Sequence, residues 1–456
     1  MLLALLGCAL SMVAQSSKPA AKKPVTRRPA TSQKPATNQR PAARRPRPRA
    51  TAAAHGAPAV VRAQMALAQK MARNAGEMAA PLPLSQRVAL LTRLLYTMRS
   101  DVMAAEKKQW AEELFTAAQQ FPHSTPTEME ARNTALATAA ARLALYDPEH
   151  ALALLDALPP TEGQRGDQPD ARSMAARLLF AGYMQHHPGG AGVLMEHARR
   201  WSTDGSFPYG ASAAILARLR GDEDASEQFF RQVLTIFSKG DEGLYGTAEF
   251  AGLLQQAVSM EAILADTAEE AGRAIGAQLS RHVADDQQVL APPQEAMMLG
   301  ALNNLRVSAP KAYAQLLLTA PALAGLRAPR AAAPQEPPPL DAEMETAFHE
   351  LGETIRLHRG PEATRASVVS SIRLVNARYS NGACAECNAP DAQSAALVSL
   401  AAYAMPAAIA AQLNAIEDPF WRAYFLAIAA QQVGQPTRVA DPAARKLPGK
   451  EEPEPE

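Results

Sequence analysis

Two cysteines separated by two residues are the first side chains in this sequence whose types and spacing suggest chemistry. Cys384 and Cys387 enclose Ala385 and Glu386 in a CxxC motif. In an oxidising compartment such a pair is expected to form a local disulfide, although so short a loop stabilises less than the ~3 kcal/mol of a 15-residue loop. A redox centre favours a CxxC at a helix start after a strand, a haem needs histidine where Asn388 stands, and zinc needs two further ligands. A redox centre, a metal site and free thiols therefore remain as alternatives to the disulfide.

A histidine and two glutamates match part of a zinc-protease motif. His349, Glu350 and Glu353 lie in the sequence HELGE. In HExxH, two histidines four residues apart bind zinc and the glutamate activates water. Here Glu353 replaces the second histidine, and His358 lies about half a turn away from the face of His349. We therefore expect a polar, solvent-facing helix stripe and no metal site.

Other catalytic or cofactor signatures are missing from the sequence. His186 and His187 precede Pro188 and are typical of a turn in which imidazoles cap or solvate a helix end. There is no glycine-rich phosphate loop, no serine nucleophile elbow and no dinucleotide fingerprint. We predict no catalytic residue, no cofactor and no metal ligand. An enzyme remains as the alternative, with a small catalytic block near residues 341–390.

A spacing around four prolines predicts the elements that carry these residues. Pro148, Pro188, Pro310 and Pro406 are each followed by apolar residues three, seven and ten positions later, and preceded by apolar residues eight and five positions earlier. Proline suits the first helical turn, and offsets of three, seven and ten share one helical face. Each copy indicates a helix, a proline turn and a second helix, and the separation of Pro148 from Pro188 is typical of a helical-hairpin repeat. Because one hairpin cannot bury its apolar stripe alone, we predict an all-α array of stacked helical hairpins.

Capping residues locate some helix ends. Asp147 before Pro148 is a good capping residue, and Asp101 is expected to cap a long helix that Pro122 ends. Val368–Val375 is the best strand candidate, but it also fits a helix because three of its aliphatic residues share a helical face.

The second-helix spacing resembles that of a known repeat class. Ala191, Met195 and Ala198 fit the second helix of tetratricopeptide repeats, and Ala225 with Phe229 fits part of it. The chain therefore looks similar to tetratricopeptide or HEAT-type arrays, over about half of its length. The resemblance implies a curved superhelix that binds proteins or peptides on its concave face, and it carries over no binding residue.

The amino terminus predicts export. Residues Leu2–Val13 are apolar and too short to span a membrane, and a small-x-small site follows at residues 14–16, so residues 1–16 are predicted to be a signal peptide. Cys8 lies in a sequence that resembles a lipobox, which leaves a lipoprotein anchored at Cys8 as the alternative. The protein is thus expected to be periplasmic or secreted.

A basic arm follows at residues 17–58. Positions 17–50 carry eleven Lys and Arg and no acidic residue, so the rest of the chain has 35 basic against 45 acidic side chains. The arm is rich in Pro and Ala and is predicted to be a disordered linker, with nonspecific polyanion contact as the alternative. The candidate polyanion contacts are Arg27, Arg28, Arg44, Arg45, Arg47 and Arg49.

The remaining chain is predicted to contain a repeat array (59–327), a Pro/Ala-rich linker (328–339), a helical block (340–437) and a disordered tail (438–456). No continuous apolar run of about 20 residues predicts a transmembrane span in this body. We predict an exported, non-catalytic scaffold with a protein or peptide partner. The alternatives are an envelope enzyme and a polyanion-binding arm.

Peptide mass spectrometry of the native protein, with and without reduction, tests export and the disulfide together. We expect a mature start near Ser17 and a Cys384–Cys387 bond, because the signal and the CxxC are both interpreted as features of an exported chain. An intact Met1 with free thiols would contradict export, and the CxxC would then need tests for metal or redox chemistry.

Overall fold

Every regular element that the computed structural model describes is a helix. The structure describes residues 57–122, 124–158, 171–204, 207–240, 242–283, 292–326, 341–380 and 389–435. The chain divides into two units, Met1–Ala54 and His55–Glu456, and all described residues belong to the second. These residues form 18 α-helices and one 3₁₀ turn, without a strand. The all-α prediction is confirmed.

The helices are short and follow one another closely. The first nine are α1 (Ala57–Glu77), α2 (Leu84–Leu95), α3 (Ala104–Gln119), α4 (Pro126–Leu143), α5 (Pro148–Asp156), α6 (Ala171–His186), α7 (Ala191–Asp204), α8 (Tyr209–Arg218) and α9 (Glu223–Lys239). The others are α10 (Leu244–Ser259), α11 (Ala265–Val283), α12 (Pro292–Ser308), α13 (Pro310–Thr319), the 3₁₀ turn Pro321–Gly325, α14 (Ala342–Arg356), α15 (Pro361–Ser380), α16 (Ala392–Ala404), α17 (Pro406–Leu413) and α18 (Pro419–Gly434).

Alternate helices form two rows. In row A, which comprises α2, α4, α6, α8, α10 and α12, each helix packs against the next. Row B comprises α3, α5, α7, α9, α11 and α13, and each of these helices contacts at least one row A helix that is its neighbour in sequence. Such a two-row stack of hairpins is compatible with a helical-repeat fold.

Polar contacts in row B join successive hairpins. Lys108 Nζ of α3 lies 2.7 Å from Asp147 Oδ2, at the start of α5. Glu227 of α9 accepts the Leu264 N–H, just before α11, at 2.9 Å. Further along, Glu269 of α11 accepts the Ala312 N–H of α13 at 2.8 Å. These sequence separations of 39, 37 and 43 residues match the spacing of Pro148 and Pro188.

Three of the four repeat prolines lie where they were predicted. Pro148, Pro310 and Pro406 are the first residues of α5, α13 and α17. Asp147 caps α5 by accepting the His150 N–H at 3.1 Å, as predicted. Proline fits this position because the first-turn N–H has no partner within the helix.

The fourth repeat proline, Pro188, does not begin a helix. Helix α7 begins at Ala191, three residues after Pro188. The Gly190 N–H instead donates to His187 O at 2.9 Å and closes a turn. A Cβ on Gly190 would clash with the Tyr183 ring. The predicted helix start at Pro188 is therefore wrong, because residues 187–190 close a turn before the helix begins.

The predicted start of the third helix is also wrong. Asp101 does not cap it, since α3 begins at Ala104 and Met103 before it has a left-handed backbone with φ of 60°. The Asp101 carboxylate lies 3.0 Å from the guanidinium of Arg99 instead. The residues between α2 and α3 are thus held as a turn.

A buried lysine fastens that turn. Lys107 Nζ donates to Met98 O at 2.6 Å and to Arg99 O at 2.9 Å, and so ties the first turn of α3 to the connection that follows α2. The pKa of Lys107 is lowered to about 8, mainly by burial and also by the charge of Arg142, while the charge of Asp101 acts in the opposite direction. These two carbonyl bonds hold the turn in which Asp101 lies.

The C-terminal helices pack against the beginning of the stack. Helix α18 packs along α1 and also contacts α2, α16 and α17. Of its 16 residues, 12 are buried, as expected for a helix that is apolar on all sides. The Arg93 guanidinium of α2 donates to Gln431 Oε1 of α18. The predicted block therefore joins the first hairpin, whereas the predicted linker 328–339 lies outside the described residues.

The ambiguous segment Val368–Val375 is helical. It lies within α15, and Val368, Ile372 and Val375 are all buried. The helix alternative was therefore correct, because one helical face carries all three side chains into the core.

Two helical glycines offer a matched test of the row packing. A Cβ on Gly272 of α11 would lie 2.5 Å from Ala309 Cβ and 2.8 Å from Ala312 Cβ, whereas Gly300 of α12 has open space. We expect Gly272→Ala to lower the free energy of unfolding by about 1–3 kcal/mol through overpacking. Gly300→Ala should raise it by up to about 1 kcal/mol, since alanine favours a helix. Urea denaturation measures both, and equal effects of the two substitutions would contradict this packing.

Candidate interaction surface

Several predicted site residues lie outside the described residues. These are Cys8, the CxxC residues Cys384 and Cys387, the arm arginines Arg27, Arg28, Arg44, Arg45, Arg47 and Arg49, and the predicted C-terminal tail. The disulfide and the polyanion contacts remain predictions.

Tyr379 and Asp391 join the two helices that flank the CxxC segment. The Tyr379 hydroxyl donates to Asp391 Oδ2 at 2.7 Å and accepts the Asp391 N–H at 3.0 Å. Arg378 Nε lies 3.0 Å from Asp391 Oδ2. Burial acts to raise the pKa of Asp391, but the hydrogen bonds from Tyr379 and Ser394 and the charge of Arg378 hold it below its usual range. The end of α15 is thus fastened to the start of α16.

The HELGE residues lie on the solvent face of α14. His349, Glu350 and Glu353 are exposed and line a shallow depression along this one helix. His349 Nε2 lies 3.8 Å from Glu345 Oε1, while Glu353 pairs with an arginine at 3.2 Å. The structure places these side chains on a polar stripe, as the sequence predicts. Among the described residues, no group of three or more His, Cys, Asp or Glu side chains is arranged to hold a metal ion.

The adjacent histidines lie at the end of α6. His186 is its last residue and is exposed. The His187 ring packs 4.6 Å from the Tyr183 ring, between centroids. Its Nε2 lies 3.4 Å from Glu149 Oε1 of α5. These contacts join neighbouring hairpins, so His187 has a packing role at the turn.

The two rows differ strongly in charge. Over four consecutive hairpins, the row A helices α6, α8, α10 and α12 contain only six Asp, Glu, Lys or Arg side chains. The row B helices α7, α9, α11 and α13 have nearly the same total length and contain fifteen. Solvated helix faces are normally charged. Row A therefore resembles an ordinary solvent-exposed helix face less than row B does.

The accessible side chains of row A form stripes at helical spacing. On α6 the stripe includes Leu178, which is 47% exposed. On the other helices the half-buried or exposed stripe residues are mostly small or uncharged: Ala213, Ala214 and Ala217 of α8, Ala248, Gly252 and Gln255 of α10, and Ala296, Leu299, Gly300 and Asn303 of α12. Spacings of three and four residues place each set along one side of its helix. We name these residues, with Leu178, the row A face.

One polar cluster lies where α8 and α10 meet. The Tyr209 hydroxyl hydrogen-bonds to Glu242, and the Tyr245 hydroxyl donates to Glu249 Oε1 at 2.8 Å. Glu249 also accepts the Gly210 N–H at 3.4 Å. Burial raises the pKa of Tyr209, and the charge of Glu242 raises it further. Each of these carboxylates is thus satisfied by groups of this chain, so the cluster orders the junction of the two helices.

The row A face was not among the sequence-predicted sites. Alanine at helical spacing also fits a buried core, and many row A alanines, such as Ala139 and Ala175, are indeed buried. The charge difference between alternate helices was the available signal, since it can be counted once the helices are assigned. The sequence alone does not indicate which side of each helix the neighbouring helices leave uncovered.

Comparisons with known proteins gave no match. The chain matches no family model, no curated protein and no solved structure. Among the described helices, none combines the length and the apolar character that a membrane crossing requires.

Proposed function

We propose that this chain is an exported, non-catalytic helical-repeat scaffold that binds a protein or peptide partner in the cell envelope or outside the cell. The observation that carries the proposal is the scarcity of charge on row A beside the charged row B. Small side chains let a partner backbone approach closely, and Gln and Asn amides can pair with peptide groups.

The finer parts of the proposal rest on sequence features. The apolar start of the chain supports export from a bacterial cell to the periplasm or the medium. Alternating hairpins, with polar contacts that recur at the length of one repeat, support a likeness to tetratricopeptide or HEAT-type arrays. In such an architecture, neighbouring repeats present a continuous surface on which many weak contacts add up.

Position-specific photo-crosslinking in the source cell tests this proposal. A photoreactive side chain would replace Ala217, Gln255 or Asn303 on the row A face, and in the control it would replace Gln232 or Thr235, which are exposed on α9 of row B. We expect one and the same partner protein to be crosslinked from all three row A positions and not from row B. Mass spectrometry identifies the crosslinked species.

A charge placed on the same face gives an independent check. Leu178→Glu should reduce crosslinking from Ala217 at least about fivefold, since a charge buried in an interface is unfavourable. Thr235→Glu on row B should leave it unchanged. Equal crosslinking from both rows, or no effect of Leu178→Glu in a folded protein, would contradict a partner surface on row A.

A further inference from the structure

Helix α7 of row B is fastened to the hairpin that precedes it. Its Trp201 Nε1 donates to Asp156 Oδ1 of α5 at 2.7 Å, and its His197 Nδ1 lies 2.9 Å from Asp156 Oδ2. Arg200 of α7 pairs with the same carboxylate at 3.3 Å. The buried Trp201 ring also packs 6.0 Å from the Phe180 ring of α6, between centroids. These contacts make α5, α6 and α7 one packed group.

Helix α9 is fastened instead to the hairpin that follows it. Its Glu227 accepts the Leu264 N–H, just before α11, at 2.9 Å, and also accepts the Thr267 hydroxyl of α11. The Arg231 guanidinium lies 3.6 Å from Glu270 Oε2 of α11, and the backbones of α9 and α11 pack directly against each other. Helix α9 thus belongs with α11, as α7 belongs with α5.

The aromatic residues of the core divide at the same place. Phe237 of α9 stacks on Phe250 of α10 with 4.1 Å between ring centroids. Tyr209 of α8 lies 5.5 Å from the first ring and 5.3 Å from the second, and Phe230 of α9 lies 5.8 Å from Phe250. None of the ring contacts among the described residues links this cluster to Trp201. Helices α8, α9 and α10 therefore share an aromatic cluster that does not include α7.

The interval between α7 and α9 is the one interval of row B, from α3 to α13, that the described side chains do not bridge. Lys108 joins α3 to the start of α5, and Glu269 joins α11 to α13. None of the hydrogen bonds, ion pairs or ring contacts found among the described residues joins α7 to α9. The two sides are held together in row A, where α6 packs against α8. A joint that is held along one row and unfastened along the other can bend about the row that holds it.

We propose that the array bends at the interval between α7 and α9, with the contact of α6 and α8 as its hinge. The row A face crosses this hinge, since Leu178 lies on α6 and the other members of the face lie on α8, α10 and α12. Bending therefore changes the angle between Leu178 and the rest of the face, which adjusts the face to the surface of a partner. The use of the hinge rests on the proposed function, whereas the bending itself needs no partner.

Distances between two spin labels in the full-length protein, measured by double electron–electron resonance, test the hinge. The labels are carried by noncanonical amino acids, which leaves the native cysteines in place. One pair replaces Glu196 of α7 and Gln232 of α9 and spans the unfastened interval, and the other replaces Gln232 and Arg273 of α11 and spans a fastened one. All three positions are exposed. We expect the distance distribution of the first pair to be at least about twofold broader than that of the second.

Removal of a fastening contact provides a matched control. Glu227→Ala should broaden the distribution of the second pair by at least about 1.5-fold, because the Leu264 N–H and the Thr267 hydroxyl lose their acceptor. Glu223→Ala, at an exposed position in the first turn of α9, should leave it unchanged. Equal widths for the two pairs without either alanine, or an unchanged width in folded Glu227→Ala, would overturn the hinge. Because no partner enters these measurements, their failure would leave the crosslinking test of the scaffold independent.

Discussion

The packing of α18 along α1 is the contact on which the beginning of the stack depends. A helical array exposes an apolar edge at its terminal hairpins unless something covers it. Here the cover for the first hairpin comes from the other end of the described chain, since α18 contacts α1 and α2 while α16 and α17 contact α18. Order in space therefore differs from order in sequence. The C-terminal helices extend the stack before α1, and α12 with α13 follow at the other side of α10 and α11.

The same junction brings together the groups with the least ordinary environments. Lys107 is fully buried and bonds two carbonyls, and Arg93 reaches from α2 to Gln431 of α18. A stack of hairpins built only from sequential neighbours would not bring α18 beside α1 and α2. The row A face, by contrast, depends on the regular packing of α6 to α12.

Local signals in the sequence predicted the helices well and their long-range partners poorly. Asp147 and Pro148 define a helix start through groups within three residues, so that prediction holds. Asp101 carries the same signal, yet Lys107 fixes the preceding carbonyls and the helix begins later. At Pro188 the turn from His187 to Gly190 comes first, and the helix begins at Ala191. The apolar residues of α18 indicate burial on all sides, but no spacing in the sequence names α1 as the helix that buries them.

Native-state hydrogen exchange of a variant at the junction tests whether α18 stabilises the first hairpin. A Cβ on Gly434 of α18 would lie 3.0 Å from Met98 Cγ and 3.3 Å from Ala68 Cβ of α1, so Gly434→Leu should force the helices apart. We expect faster amide exchange in α1 and α18 together, with α12 and α13 unchanged. Faster exchange in α18 alone, with α1 as protected as before, would contradict the claim that the last helix completes the beginning of the stack.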